Sequence, residues 1–421
     1  MKAQVSRVLP GQEIGVDEQR ELAVDGLTPA RVMRPQSPQE LAEGLQALSA
    51  TSAAAVVHGG DTQIGLGSRP ARYDVALSTT RLSRLLEHEP ADLTCRAEAG
   101  MRVGDLQAIL RAHGQRLPLD PPRPEKATLG GMVAANSSGL SRARYGGVRD
   151  WVIGIAVAYP NGVIARAGGK VVKNVAGYDL MKLHTGALGT LGVIVELNFK
   201  VQTTPEADDT MLGHFDHRGD ALAAGRWLAR QYLAPAAITV LDREVLQECG
   251  LTADWRWTLA IRLEGYRREV EIARDQAAAA VRDHAGRFES EPAPAPARFW
   301  ESVRDWTLGQ DEAVLLYATT SLSGLSPVLD VAGSDSRVMA EPASGTAYVR
   351  VAPGAAVGLL DRMRGAVKGS GQVVVRRAPT ASKDELDIFG PPPPGFALMR
   401  ELKRTLDPNA ILNPGRFVGG I

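Results

Sequence analysis

Apolar positions recur along the chain in two periods, and each switch between them marks an element. RVMRPQSPQELAEGLQALSA carries a helix signal with Ser37 as N-cap, Pro38 at the first helical position and Glu40 three residues after the cap. It leads into AAAVVHGG, a short apolar run closed by glycines that predicts a buried strand. YDVALST and LTCRAEAG read as further strands, and VGDLQAILRAHG has the apolar spacing of an amphipathic helix closed by Gly114. Strand and helix signals mix here without regular βαβ alternation, so the expected class is α+β.

Past residue 204 the strands ITVLD and WTLAIRLEG precede the helical REVEIARDQAAAAVRDHA. After a proline-rich break, EPAPAPA, come the helix FWESVRDW, the strands AVLLYATT and TAYVRVA, the helix AVGLLDRMRGAVKG and the strand QVVVRRA. That order predicts a small sheet covered by helices on one face. A second break, FGPPPPG, precedes a final helix, FALMRELKRTL.

Length and charge narrow the picture. A chain of 421 residues exceeds the roughly 250 to 300 residues at which one core stops growing, so two domains are expected. The 48 basic and 48 acidic residues balance, which gives no electrostatic reason to expect nucleic acid or an anionic membrane as partner. Cys95 and Cys249 lie far apart without metal-ligand spacing, which suits a reducing, cytoplasmic setting. The N-terminus lacks the apolar core of a signal peptide, and no run reaches the roughly 18 apolar residues of a membrane span. Membrane association is therefore expected only through partner subunits.

Glycine carries the chemistry. Of the 44 glycines, 20 fall between Gly59 and Gly192, in clusters such as HGGDTQIGLG, ATLGGMVAANSSG, RYGG and GALGTLGVI. Each mixes glycine with small hydroxyl or amide side chains, the combination that points successive backbone N–H groups at an anion. Together they imply an extended, phosphate-bearing ligand threading several loops. Neither G-x-G-x-x-G after a strand nor G-x-x-x-x-G-K-[ST] occurs, which disfavours a Rossmann site and a P-loop.

The succession TLGGMVAANSSG, RYGGVRDWVIGIAVAYPNG and GALGTLGVIVEL resembles the FAD-binding domain of the vanillyl-alcohol oxidase / p-cresol methylhydroxylase (PCMH-type) superfamily, over about residues 28 to 204. LKRTLDPNAILNPGRF resembles the closing segment of that family, and GGKVVKNVAGYDLMKLHTGALGTLGVI is most similar to the FAD-binding subunit of bacterial glycolate oxidase. The resemblance implies a two-lobed PCMH-type FAD-binding domain (28–204) after an N-terminal segment (1–27). A smaller α+β, ferredoxin-like cap domain (205–395) follows, with a C-terminal segment (396–421) returning to the FAD domain.

It also implies FAD contacts at Gly59, Gly60, Asp61, Thr62 and Gln63, whose amides would meet the pyrophosphate. Further matches are Thr128, Gly130, Gly131, Asn136, Ser138 and Gly139; Tyr145 and Gly146; Gly189, Thr190, Gly192, Val193 and Ile194; and Asn413 with Arg416. Members with covalent flavin often carry histidine where this chain has Asp61, so noncovalent FAD is expected; His58 is expected to end a strand.

Oxidation of a 2-hydroxy acid at a flavin needs a cation for the carboxylate and a base for the hydroxyl proton. Lys173, Asn174, Tyr178, Asp179 and His184 are the candidates of the signature stretch. Each has a plainer reading: Tyr178 as a packed ring, Lys173 as the partner of Asp179, His184 as a helix residue beside Leu183. Arg350, Arg376 and Arg377 lie on strand-like segments and are further candidates to hold the carboxylate, with a solvated sheet face the plainer home for at least two of them. His214 and His217 read as a solvated turn rather than a metal pair, because no third ligand is near in sequence, and no metal is expected.

The implied function is that of a subunit oxidising glycolate or a similar small 2-hydroxy acid, in a complex with a larger flavin subunit and an iron–sulfur subunit. A free-standing 2-hydroxy acid dehydrogenase and a non-catalytic assembly scaffold are the alternatives. Nucleic acid and direct membrane insertion are not expected.

Overall fold

A computed structural model describes residues 10–170, 178–252, 254–288 and 298–421. The front of the chain builds two main sheets and a two-stranded ribbon, β7 with β11, from β1 (Gln12–Glu13), β2 (Arg31–Met33), β3 (Ala55–His58), β4 (Val75–Ser78), β5 (Leu85–Glu89), β6 (Thr94–Glu98), β7 (Gln115–Arg116), β8 (Val152–Ala158), β9 (Ile164–Gly168), β10 (Val193–Lys200) and β11 (Gln202–Thr203). The first has the order β1-β2-β4-β3, with β2, β4 and β3 parallel; the second, β5-β6-β10-β8-β9, is antiparallel.

The helix Pro38–Thr51 joins them. Ser37 Oγ accepts the Glu40 N–H at 3.1 Å and Glu40 Oε2 accepts the Gln36 N–H at 2.7 Å, so the start read from sequence is a working cap. Its buried Leu41, Leu45 and Leu48 pack on Val75 and Leu77 of one sheet and on Ala156, Ala158 and Val195 of the other. The C-terminal Ile411 and Leu412 complete this core. The Ala55 N–H donates to Ile411 O at 2.7 Å and the Asn413 N–H to Ala55 O at 2.9 Å, so the tail runs alongside β3.

The second domain is a single antiparallel sheet of seven strands: β12 (Ala207–Phe215), β13 (Ala237–Asp242), β14 (Trp257–Gly265), β15 (Val314–Thr319), β16 (Arg337–Glu341), β17 (Thr346–Val351) and β18 (Gln372–Arg377), in the order β12-β14-β13-β16-β17-β15-β18. β15, the helix Leu325–Asp330, β16, β17, the helix Pro353–Val367 and β18 form a complete βαββαβ ferredoxin-like unit. β12, β13 and β14, with the helices Arg218–Leu228 and Arg267–Asp283, repeat that order without its fourth strand. The two units meet through β13 and β16. The sheet is thus larger than the sequence reading, which did not find β12 or β16.

Alternation sets what each face does. Val314, Leu316, Ala318, Val338, Ala340, Ala347, Val349, Val373 and Val375 pack under the helices. Their neighbours Tyr317, Thr319, Glu341, Tyr348, Gln372 and Arg376 turn the other way, into a cleft shared with the front domain.

Candidate functional site

β3 ends at His58, and the chain turns through Gly59 and Gly60 into the first glycine loop. His58 contacts Asp61 through Nδ1 (2.9 Å) and the Tyr73 hydroxyl through Nε2 (2.6 Å), and Tyr73 donates to Leu22 O at 2.8 Å. This buried chain holds Asp61 at φ +54°, where its Oδ1 accepts the Gly59 N–H. The glycines are demanded by the second loop. A Cβ on Gly59 would lie 2.4 Å from Thr128 Oγ1, and one on Gly60 1.7 Å from Lys126 O. Thr128 caps the helix Leu129–Ala134 by accepting the Gly131 N–H at 3.2 Å. Asn413 ties in the last loop: its Oδ1 accepts the Val57 N–H at 3.1 Å and its Nδ2 donates to Leu188 O at 2.7 Å.

Three cavities follow from this packing. A wide cleft of about 680 Å³ lies between the cap sheet and Asn136–Leu140, Thr185–Leu188 and Thr190. A narrower space of about 90 Å³ is lined by Gly59–Ile64, Thr128, Gly131, Asn413 and Arg416. A third, of about 80 Å³, is lined by Gly59, Gly130, His184, Gly189 and Gly192–Ile194. The first two share Leu66, Ala135 and Leu188, and the last two share Val57, Gly59, Gly131, Ala134, Leu188 and Asn413. The three adjoin one another along one track.

Arg416 stands at its centre. It is only 4% exposed, and its Nη2 donates to Ile64 O and, at 2.7 Å, to Leu66 O. Its Nη1 has no hydrogen-bond partner. Burial lowers its pKa, while Asp25, Tyr73 and Asp61 nearby favour the charge. An unpaired buried guanidinium N–H is costly unless an anion meets it. Beside the amides of Gly60–Gln63 it fits the pyrophosphate of a dinucleotide, with the wide cleft left for a ring system. The residues present fit FAD.

The cleft ends in polar side chains. Arg376 donates to Gln63 Oε1 at 3.0 Å, and Gln63 Nε2 donates to Ser137 Oγ at 2.7 Å, so a cap strand is linked to two glycine loops. The Arg376 guanidinium lies 5.5 Å from the Tyr317 ring centroid, and the Tyr317 and Tyr348 rings are 4.7 Å apart. Burial pushes the Glu341 carboxyl up to about 7, against the Ser344 hydroxyl and the Arg142 charge. Glu341, Tyr317, Tyr348 and Arg142 were not singled out from sequence. For the tyrosines the period-2 pattern of AVLLYATT and TAYVRVA was the available signal.

Of the other candidates, Gly59, Gly60, Asp61, Thr62, Gln63, Thr128, Gly130, Gly131, Asn136, Ser138, Gly139, Gly189, Thr190, Gly192, Val193, Ile194 and Asn413 all line the track. Tyr145 and Gly146 do not. The Tyr145 hydroxyl donates to Glu264 Oε2 at 2.9 Å, binding the front domain to β14, and a Cβ on Gly146 would lie 2.5 Å from Asp150. Lys173 and Asn174 lie outside the described residues. Tyr178 is 88% exposed and away from the cleft, not a packed ring. Asp179 pairs with Lys182 at 2.6 Å.

His184 is 2% exposed, contacts the Tyr159 hydroxyl at 2.9 Å and faces the third cavity rather than the cleft. Burial lowers its pKa from 6.5 to about 4. Below 6.5 the unfolded chain takes a proton that the folded chain refuses, so this site withdraws up to about 3 kcal/mol as pH falls towards 4. In an NMR titration its ring signals are expected to keep their neutral positions until about pH 4; a midpoint near 6.5 would contradict its burial.

Arg350 pairs with Glu248 over the Trp306 ring, and Arg377 pairs with Asp311, so only Arg376 of the three strand arginines reaches the cleft. The solvated turn expected at His214 is corrected: His214 is buried in β12 and contacts Thr258 Oγ1 at 3.1 Å, while His217 precedes the helix Arg218–Leu228. Among the described residues no group of His, Cys, Asp and Glu is arranged to hold a metal.

The family described as FAD binding domain matches residues 29–168, and the family described as FAD linked oxidases, C-terminal domain, matches residues 391–417. The front of the chain and its last segment thus each match a family of FAD-dependent proteins. Its fold is that of p-cresol methylhydroxylase with substrate bound, at a TM-score of 0.75 and 15% identity over 96% of this chain and 93% of that one. The glycolate oxidase subunit GlcD of Bacillus subtilis (strain 168) is 30% identical over 58% of this chain and 53% of its own length. D-lactate dehydrogenase of Anaerostipes hadrus is 29% identical over 58% and 51%. The chain thus spans about half the length of those two relatives. The glycolate oxidase subunit GlcE of Escherichia coli (strain K12) is 28% identical over 79% of this chain and 84% of its own length.

Proposed function

We propose that this chain is the FAD-carrying subunit of a glycolate oxidase-type complex and oxidises glycolate or a similar small 2-hydroxy acid to the 2-oxo acid. The observation that carries the reading is the run of adjoining cavities lined by Arg416, whose Nη1 has no hydrogen-bond partner, beside a cleft lined by Arg142, Arg149, Arg304 and Arg376. The loop amides of Gly60–Gln63 and Arg416 hold the pyrophosphate, and the arginines of the cleft attract a carboxylate. FAD, when bound, supplies the acceptor for two electrons and the C2 hydrogen. The likeness to GlcE and GlcD supports a larger flavin subunit as partner, with an iron–sulfur subunit taking the electrons onward. Among the described residues no helix is long and apolar enough to cross a membrane; the complex works at the cytoplasmic side, with any membrane contact made by partners.

Asp61 stands where a flavin-linking histidine would be, so the FAD is noncovalent. The purified protein is expected to be yellow and to release its flavin into the supernatant on acid precipitation. Anaerobic addition of glycolate or D-lactate is expected to bleach the flavin bands. A folded, colourless protein that takes up no added FAD would end this reading, and with it the oxidase activity.

A further inference from the structure

Among the described residues the cleft has four arginines on its wall and one carboxyl, Glu341. The arginines are not equivalent. Arg149 donates to Lys182 O, Arg304 is turned to Asp305, and Arg376 is spent on Gln63. Arg142 instead lies beside the Tyr317 hydroxyl, and its charge reaches Glu341.

Glu341 is the last residue of β16 and only 5% exposed, yet it borders the cleft. The Ser344 hydroxyl donates to its Oε2 at 3.1 Å, and Thr346 also hydrogen-bonds to it. Among the described residues no Lys or Arg forms an ion pair with it, whereas Glu264, another buried carboxylate of the cap, is held by Arg116 at 2.6 Å and Arg262 at 3.0 Å. A buried carboxyl with hydroxyl partners, bordering a cationic cleft, is placed to exchange a proton. The groups facing it are Asp120 and Arg142 from the front domain and Tyr317 and Tyr348 from β15 and β17. Asp120 does not border the cleft; it accepts the Ser141 N–H and sits beneath Gly139.

We propose that Glu341 is the catalytic base of this chain and Arg142 the residue that holds the substrate carboxylate, a role for both that rests on the 2-hydroxy acid oxidase reading above. The hydroxyl proton of the substrate passes to the Glu341 carboxylate, the C2–H bond breaks with its electron pair going to the bound flavin, and C2=O forms. The substrate loses two electrons and two hydrogens, and the flavin is reduced. Tyr317 and Tyr348 wall the place between base and cation, and Arg376 keeps the cap strand on the glycine loops.

The test uses the FAD-loaded protein and oxalate, an anion of the product's shape with no C–H to oxidise. Calorimetry at about pH 7, in buffers of different ionisation heat, is expected to show proton uptake on oxalate binding, because an anion beside Glu341 favours its protonated form. Glu341→Gln is expected to bind oxalate at least as tightly, to lose the uptake, and to slow flavin bleaching by glycolate or D-lactate by about 10²-fold or more. Arg142→Met is expected to weaken oxalate binding by about tenfold or more with FAD affinity unchanged. Absence of linked proton uptake in the unmutated protein overturns the assignment whether or not the variants fold. Bleaching at full rate in Glu341→Gln overturns it while leaving the oxidase reading intact. No bleaching of the unmutated protein by any 2-hydroxy acid overturns that reading and this role together.

Discussion

An Arg416→Met protein is expected to bind FAD at least about 10²-fold more weakly than the unmutated chain, the sum of two losses that one side chain makes at once. The first is direct. Arg416 lines the narrow part of the track and its Nη1 has no hydrogen-bond partner, so under the proposed function the pyrophosphate supplies one, and a charge-assisted hydrogen bond inside a buried site contributes roughly 1.5 to 3 kcal/mol. The second acts through the loop. Nη2 holds Ile64 O and Leu66 O, which fix the end of the first glycine loop, and methionine leaves both carbonyls without that donor. Titration of apoprotein with FAD, followed by flavin fluorescence, measures the result. Arg416→Lys separates the two losses: it keeps a charge near the track but cannot span two carbonyls and a phosphate with one planar fork. FAD affinity within about twofold of the unmutated protein in Arg416→Met would show that the buried N–H does not meet the cofactor.

Arg416 also shows how far the sequence could be read. The match of NPGR to a family's closing segment pointed to the residue, but its meaning depends on a contact between positions 64 and 416 that no local pattern contains. Local chemistry was legible: Ser37 and Glu40 cap their helix because cap and partner lie within one turn. The glycine clusters were legible as a site, but the reason for them is different. A Cβ on Gly59, Gly60, Gly130 or Gly192 would strike Thr128, Lys126, Ala99 or Val157 of the protein itself. Glycine is needed there so that the loops can close on one another, and the track is what their closure leaves. β16 was not legible because RVMAE is short and gains its place only by pairing with β13 and β17. Glu341, at its end, comes within reach of the Arg142 charge across 199 residues of chain. His214 read as a turn because Asp216 and Gly219 follow it, while pairing with β14 overrode that local preference.

Replacing Lys403 with methionine is expected to cost about 3 to 5 kcal/mol of stability, because it leaves a carboxylate buried without its cation. Asp407 is 1% exposed; Lys403 Nζ meets its Oδ2 at 2.7 Å and also donates to Thr190 O at 2.8 Å and Leu412 O at 2.9 Å. Burial lowers the pKa of Lys403, and the Asp407 charge opposes that shift. Asp407 in turn accepts the N–H groups of Ile411 and Leu412, which seat the tail beside β3. The cluster therefore links the final helix, the last glycine loop and the strand that ends at His58. Thermal and urea unfolding of the apoprotein would measure the cost, and FAD titration is expected to show weakened binding as well, since Thr190 and Asn413 border the track. The double variant Lys403→Met with Asp407→Asn removes the stranded charge while an amide oxygen still accepts a backbone N–H, so it should recover part of the loss. A single variant within about 1 kcal/mol of the unmutated protein would mean that water reaches Asp407, and that the tail is held by Ile411 and Leu412 packing alone.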